Sequence, residues 1–176
     1  MQEDEERLLR SSIRDIPDYP KKGIMFKDLT PLLKDRGAFK TCVDALVESV
    51  SGMQFDYVLG VEARGFIMGG AVAYRLGRGF IPARKKGKLP YNVVTQEYAL
   101  EYGTAALDMH VDAIEKGSRV LIIDDLLATG GTALASAKLV EGLGGRVAGM
   151  AFVVELGALN GRDKLKGYSV LSLLKY

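Results

Sequence analysis

The segment Val120–Thr132, Val-Leu-Ile-Ile-Asp-Asp-Leu-Leu-Ala-Thr-Gly-Gly-Thr, constrains the fold more than any other part of the chain. Its opening residues are apolar and mostly β-branched, which suits a strand buried on both faces. Asp124 and Asp125 follow side by side. A small loop bearing Gly130 and Gly131 comes next, and then a helix-forming stretch. A strand of this kind, delivering a glycine loop to a helix, belongs to a mostly parallel sheet with its ligand site beyond the carboxyl ends of the strands.

The rest of the chain alternates in the same way. Tyr57–Val61, Gly79–Ala83, Val147–Val154 and Ser169–Leu174 read as strands, with Arg119–Ile123 the strongest. Glu5–Ile13, Leu32–Val50, Phe66–Leu76 and Thr132–Leu143 read as helices. Asp15–Phe26 carries Pro17, Pro20 and Gly23 and is expected to be irregular. Tyr98–Ile114 alternates about Gly103 and suggests a hairpin. The expected fold is α/β: a mostly parallel twisted sheet with helices on both faces. At 176 residues the chain is long enough for one sizeable domain, 1–176, with 1–35 forming an N-terminal arm.

Ala128-Thr129-Gly130-Gly131-Thr132 has the parts a phosphate needs. The glycines let successive backbone N–H groups face one way, the threonines add hydroxyls, and the next helix points its positive end at the anion. No lysine follows the glycines, so this is not a nucleoside triphosphatase loop. Asp124 and Asp125 would repel a triphosphate but suit a ribose diol, and can also support a magnesium ion through water. A ribose 5-phosphate satisfies both halves; the alternative is a capped turn with solvated aspartates. Glu62-Ala63-Arg64-Gly65, after a strand, is a tight turn with a cation. Arg84-Lys85-Lys86-Gly87-Lys88, also after a strand, packs four cations into five residues. Alone, such a run is ordinarily a solvated loop; beyond a strand end it can bind an anion.

Val120–Thr132 resembles the ribose phosphate motif of the type I phosphoribosyltransferases. Three further segments resemble the adenine branch of that family: Tyr19–Asp35, Gly60–Phe66, and Ala83–Pro90 with Leu100-Glu101-Tyr102-Gly103. The resemblance runs in register from about Ile13 to Leu165. It implies purine salvage in the cytoplasm: a pentosyl transfer from 5-phospho-α-D-ribose 1-diphosphate (PRPP) to adenine, giving AMP and diphosphate. It further implies a small N-terminal hood, a flexible β-hairpin flap and a homodimer.

By that resemblance, Ala128, Thr129, Gly130, Gly131 and Thr132 hold the 5-phosphate, and Asp124 and Asp125 the ribose. Glu62, Ala63, Arg64, Arg84, Lys85 and Lys88 meet the diphosphate, in part across the dimer interface, with a cis peptide between Glu62 and Ala63. Lys86 faces solvent. Phe26 stacks on adenine, the backbone of Met25 and Lys27 reads the base edge, and Leu127 packs on the other face. From the loop alone, Phe26 could equally be a core anchor. Glu101 handles the purine ring proton and Tyr102 belongs to the flap; Arg64 assists as diphosphate departs. Mg2+ is the implied cofactor, held mainly by substrate and water near Asp124 and Asp125 rather than by direct protein ligands. Relatives often have Asp-Ser where this chain has Glu62-Ala63, so one hydroxyl contact is lost.

Composition narrows the alternatives. The net charge of +2 gives no bulk case for nucleic acid. One cysteine, Cys42, and one histidine, His110, make a zinc site and an intrachain disulfide untenable and fit a reducing compartment. His110 is expected at the surface. No run is apolar enough for a signal peptide or a membrane span. The competing readings are a transferase for hypoxanthine, guanine or xanthine, and a non-catalytic PRPP sensor. The second wants a DNA-binding module, for which there is little sequence before Ile13.

Overall fold

Strand β3 (Tyr57–Val61) lies at the centre of a seven-stranded sheet in a computed structural model of the chain. The structure describes residues 1–19, 22–23, 25–99 and 103–176. On one side β3 pairs in parallel with β4 (Gly79–Lys85), and on the other with β7 (Arg119–Leu127). The parallel set continues through β8 (Arg146–Glu155) to β9 (Val170–Lys175). A hairpin of β5 (Val93–Ala99) and β6 (Thr104–His110) adds antiparallel to β4. Two short strands, β1 (Arg14–Pro17) and β2 (Met25–Asp28), form a separate antiparallel ribbon.

The helices are α1 (Glu3–Ser11), α2 (Thr30–Lys34), α3 (Arg36–Ser49), α4 (Arg64–Leu76) and α5 (Gly131–Gly142). They cover both faces of the sheet because its inner strands are apolar on both faces. Leu121 and Ile123 of β7 pack into a core with Leu46 of α3 and Met68 of α4. Val120 and Ile122 point the other way, into a core with Ala137 and Val140 of α5. All four β7 side chains are fully buried, each burial contributing roughly 1.5–3 kcal/mol.

Several boundaries depart from the sequence reading. The helix expected over Leu32–Val50 is two helices. Asp35 takes extended backbone and caps the second, its carboxylate accepting from the Ala38 N–H at 2.8 Å. Asp15–Phe26 is not irregular throughout: both its ends are strands of the ribbon, so Phe26 stands on a strand rather than in a loop. Strand β7 continues past Ile123 to Leu127, because Leu126 and Leu127 find partners in Val154 and Glu155 of β8. The acidic doublet therefore lies within a strand. Arg64 and Gly65, read as part of a turn, begin α4.

Candidate functional site

The carboxyl ends of β3 and β7 and the start of α5 enclose a cavity of about 590 Å³. Two sequence-separated pieces meet there, Glu62–Arg64 and the continuous run Asp124–Thr132, with Lys85 alongside. Val61, Leu107 and Phe152 supply apolar lining.

The loop at the start of α5 is shaped by glycine. Gly130 has φ +78°, a left-handed conformation, and is the residue from which the helix departs. Gly131 is the first helical residue, and a Cβ there would stand 3.0 Å from the Ala99 carbonyl oxygen of the hairpin. The helix runs for twelve residues, long enough to carry a positive end toward the cavity. Thr129 and Thr132 line the same space.

Asp124 and Asp125 differ sharply despite adjacency. Asp125 is 5% exposed and its carboxylate accepts a hydrogen bond from Arg64 Nε. The half-buried Asp124 accepts from the Asp125 backbone N–H at 2.9 Å. Desolvation, reinforced by the neighbouring Asp125 charge, holds the Asp124 carboxyl well above the usual carboxylate range. A Cβ on Gly65 would lie 2.8 Å from Asp124 Oδ1, so α4 begins hard against this carboxylate. Hard oxygen donors beside a polar cavity suit a magnesium ion shared with substrate oxygens and water. With Asp125 occupied by Arg64, Asp124 is the carboxylate of the doublet better disposed to support one.

The Glu62–Ala63 peptide is cis. The Glu62 side chain does not hang free: it accepts from Arg84 Nη2 at 3.1 Å and from the Lys85 backbone N–H at 3.1 Å. These bonds, Arg84's foremost, hold the Glu62 carboxyl below its usual range. Arg84 also donates to the Lys88 carbonyl at 3.0 Å. So Arg64 and Arg84, both expected as cations for an incoming anion, are each paired to an acid of the site. Lys85 lines the cavity, whereas Arg84 and Lys88 are not among its lining residues. Lys86 is exposed, as anticipated, 3.9 Å from Glu97.

In the ribbon, Phe26 is half-buried, its ring 5.2 Å from that of Tyr19 and 5.9 Å from the Arg64 guanidinium carbon. Met25 is exposed. The Lys27 ammonium bonds Asp15 at 2.6 Å and lies 3.9 Å from the Tyr176 ring centre. Its side chain is thereby used structurally. Leu127 is buried and lines the cavity. Glu101 and Tyr102 lie outside the described residues.

Tyr98, which opens the expected hairpin, lines the cavity from β5. One residue has no place among the sequence expectations. Asp108, 2% exposed, accepts from the Gly87 N–H at 2.7 Å and the Thr95 hydroxyl at 2.7 Å. It joins the basic loop to the hairpin, and no local pattern announces it. His110 is a correction: it is half-buried, with a buried Nε2 that has no partner among the described residues and a ring 6.0 Å from Tyr91. Cys42 is fully buried and burial pushes its thiol up to about 12, which makes it inert.

The chain is similar to known proteins over nearly its whole length. The phosphoribosyl transferase domain family matches residues 32–174. The adenine phosphoribosyltransferase of Thermosipho africanus is 58% identical over 94% of this chain and 98% of its own length. The crystal structure of that enzyme from Thermoanaerobacter pseudethanolicus superposes with a TM-score of 0.95 at 54% identity, covering 97% of this chain and 99% of the other. The Saccharomyces cerevisiae enzyme, solved with an imino-altritol bisphosphate and adenine, does so with a TM-score of 0.91 at 39% identity, covering 97% and 99%. With the α/β sheet and the strand-end cavity already in place, the chain belongs to the adenine phosphoribosyltransferase family of the type I phosphoribosyltransferases.

Proposed function

We propose that this protein transfers the phosphoribosyl group of PRPP to adenine, releasing diphosphate and forming AMP in purine salvage, with Mg2+ as cofactor. The observation that carries the reading is the meeting of the acidic doublet, the glycine loop and the Glu62–Arg64 turn around one cavity. The N–H groups and hydroxyls of Ala128–Thr132 hold the 5-phosphate, and Asp124 and Asp125 accept from the ribose hydroxyls. Glu62–Arg64, Arg84, Lys85 and Lys88 face the diphosphate. Adenine sits between Phe26 and Leu127, with the Met25 and Lys27 backbone reading its edge.

In the reaction the anomeric carbon–oxygen bond breaks and the bond from carbon to adenine nitrogen forms. The electron pair of the broken bond leaves with diphosphate, and the nitrogen's proton passes to Glu101. Asp124, with water, would support Mg2+, which when bound would supply charge neutralisation to the departing diphosphate. Asp124 and Asp125 add negative potential beside a carbon that gains cationic character. Arg64, tied to Asp125, links the ribose end of the site to the diphosphate end. Closure of the hairpin carrying Tyr98 and Tyr102 keeps water from the donor.

The test is AMP formation from adenine and PRPP, with and without Mg2+. Turnover is expected with adenine and Mg2+, and a large loss without the metal. Transfer to hypoxanthine, guanine or xanthine in preference to adenine would overturn the base assignment.

We also infer a homodimer with sites shared between subunits. Ile67 and Tyr74, two turns apart on α4, are 44% and 87% exposed, and the exposed Lys88 does not line its own chain's cavity. Mixing chains crippled at Lys88 with chains crippled at Asp124 is expected to restore activity; no recovery argues against sharing. The cytoplasm is the proposed compartment. It fits the unpaired Cys42, and among the described residues no helix is long and apolar enough to cross a membrane.

A further inference from the structure

Behind the glycine loop lies a second segment that the reading above does not use, the 3-10 turn Gly161–Leu165. Gly161 is buried but does not line the cavity. A Cβ on Gly161 would stand 2.2 Å from the Ala128 carbonyl oxygen and 3.0 Å from Leu127 Cδ1. A Cβ on Gly130 would stand 2.3 Å from the Gly161 carbonyl oxygen. The two backbones therefore touch directly, and neither glycine has room for a side chain.

Arg162 holds the turn in place. Its Nε and Nη2 each donate to Glu155 at 2.7 Å, a two-pronged pair, and its Nη1 donates to the Val170 carbonyl at 2.9 Å. The Ser172 hydroxyl donates to the same carboxylate at 2.6 Å. Glu155 is only 7% exposed and stands opposite Leu127 in the β7–β8 register, one residue before the loop. The Leu156 N–H donates to the Leu127 carbonyl at 2.9 Å. The carboxyl ends of β7 and β8, the first half of β9 and the turn are thus tied together behind the loop.

We propose that Gly161 and Arg162 are positioning residues for phosphate binding: Gly161 buttresses Ala128–Gly130 from behind, and the Arg162–Glu155 fork fixes Gly161. The proposal rests on the assignment of that loop to the 5-phosphate. A loop set before the ligand arrives loses less freedom on binding, so the buttress contributes affinity without touching the anion. Arginine suits the role because its planar fork matches a carboxylate as lysine cannot.

The test compares Gly161→Ala, Arg162→Ala, Arg162→Lys and a loop control, Thr132→Ala. Ribose 5-phosphate affinity is measured by calorimetry, KM for PRPP and for adenine by steady-state kinetics, and Tm by thermal unfolding. Gly161→Ala is expected to weaken ribose 5-phosphate and raise the PRPP KM by about ten- to a hundredfold, the scale of a small misplacement, with a smaller rise in the adenine KM through the close approach to Leu127. Arg162→Ala should act in the same direction, and Arg162→Lys should recover only part of the loss. Unchanged ribose 5-phosphate affinity in Gly161→Ala overturns the proposal. So do equal losses for PRPP and adenine that merely follow a fall in Tm. Should Gly161→Ala fail to fold, a wild-type PRPP KM in Arg162→Lys overturns it. Failure of the loop assignment looks different: the wild type does not bind ribose 5-phosphate, or Thr132→Ala binds it unchanged.

Discussion

Asp124→Asn is expected to produce a more stable protein at neutral pH and a much poorer enzyme. Burial and the adjacent Asp125 raise the Asp124 carboxyl well above its ordinary value. An acid raised in this way favours the fold while protonated. Below about pH 4, the ordinary carboxylate value, both folded and unfolded chains hold the proton and the site costs nothing. As pH climbs from there toward the folded value, the unfolded chain releases its proton first, and stability falls. Asparagine keeps the shape and removes the titration. The gap in Tm between variant and wild type should therefore be absent near pH 4 and open as pH rises to 7.

Activity should move the other way. Hydrogen bonds to a charged group contribute about 1.5–3 kcal/mol, so losing the Asp124 carboxylate should weaken PRPP binding roughly ten- to a hundredfold. Adding Asp125→Asn should deepen the loss and reverse the stability gain, since the half-buried Arg64 then loses its anionic partner. PRPP KM and kcat, measured beside denaturation at the two pH values, check both halves. A stability unchanged between pH 4 and 7 in the comparison contradicts the electrostatic account, and an unchanged KM contradicts the ribose role.

Phe152→Ala is expected to have the largest effect on stability. Phe152 is 1% exposed, sits among the largest fully buried side chains, and pairs in register with Asp124 across β7 and β8. Its ring fills the α5-side core and also lines the cavity. Removing a buried aromatic ring costs about 3–5 kcal/mol. Against the 5–15 kcal/mol that holds a typical domain folded, that is a large fraction. A urea titration should show the loss as a lower midpoint. Because the cavity lies against the same ring, donor affinity should fall even at temperatures where the variant remains folded. Phe152→Leu should recover part of the stability; a cost below 1 kcal/mol for the alanine variant would show that neighbouring side chains collapse into the space.

Much of the site was legible because its chemistry is contiguous. Strand, acidic doublet, glycine loop and helix follow one another in Val120–Thr132, and all of Asp124–Thr132 reaches the cavity. Boundaries were less legible. The break at Asp35 hid inside a helical pattern because a single N-cap interrupts only one residue of the periodicity. The extension of β7 to Leu127 depended on partners in β8 that local pattern does not reveal.

Charge partners were hidden altogether. Arg64 finds Asp125 across 61 positions and Arg84 finds Glu62 across 22, so cations that read as waiting for an anion are already neutralised in part. The ribbon that holds Phe26 escaped notice because Pro17 and Gly23 mark a turn without saying what flanks it.

What the chain alone determined was each run whose physics is local: the alternation of strand and helix, the backbone freedom at Gly130 and Gly131, and the adjacency of the acids to the glycine loop. These depend on neighbours within a few bonds. Tertiary structure decided which acid is paired and which has its carboxyl raised by burial, that Asp108 anchors the basic loop, and that Gly161 presses on Ala128. Those outcomes depend on desolvation and close contact between residues far apart in the chain, which arise only once the sheet has brought them together.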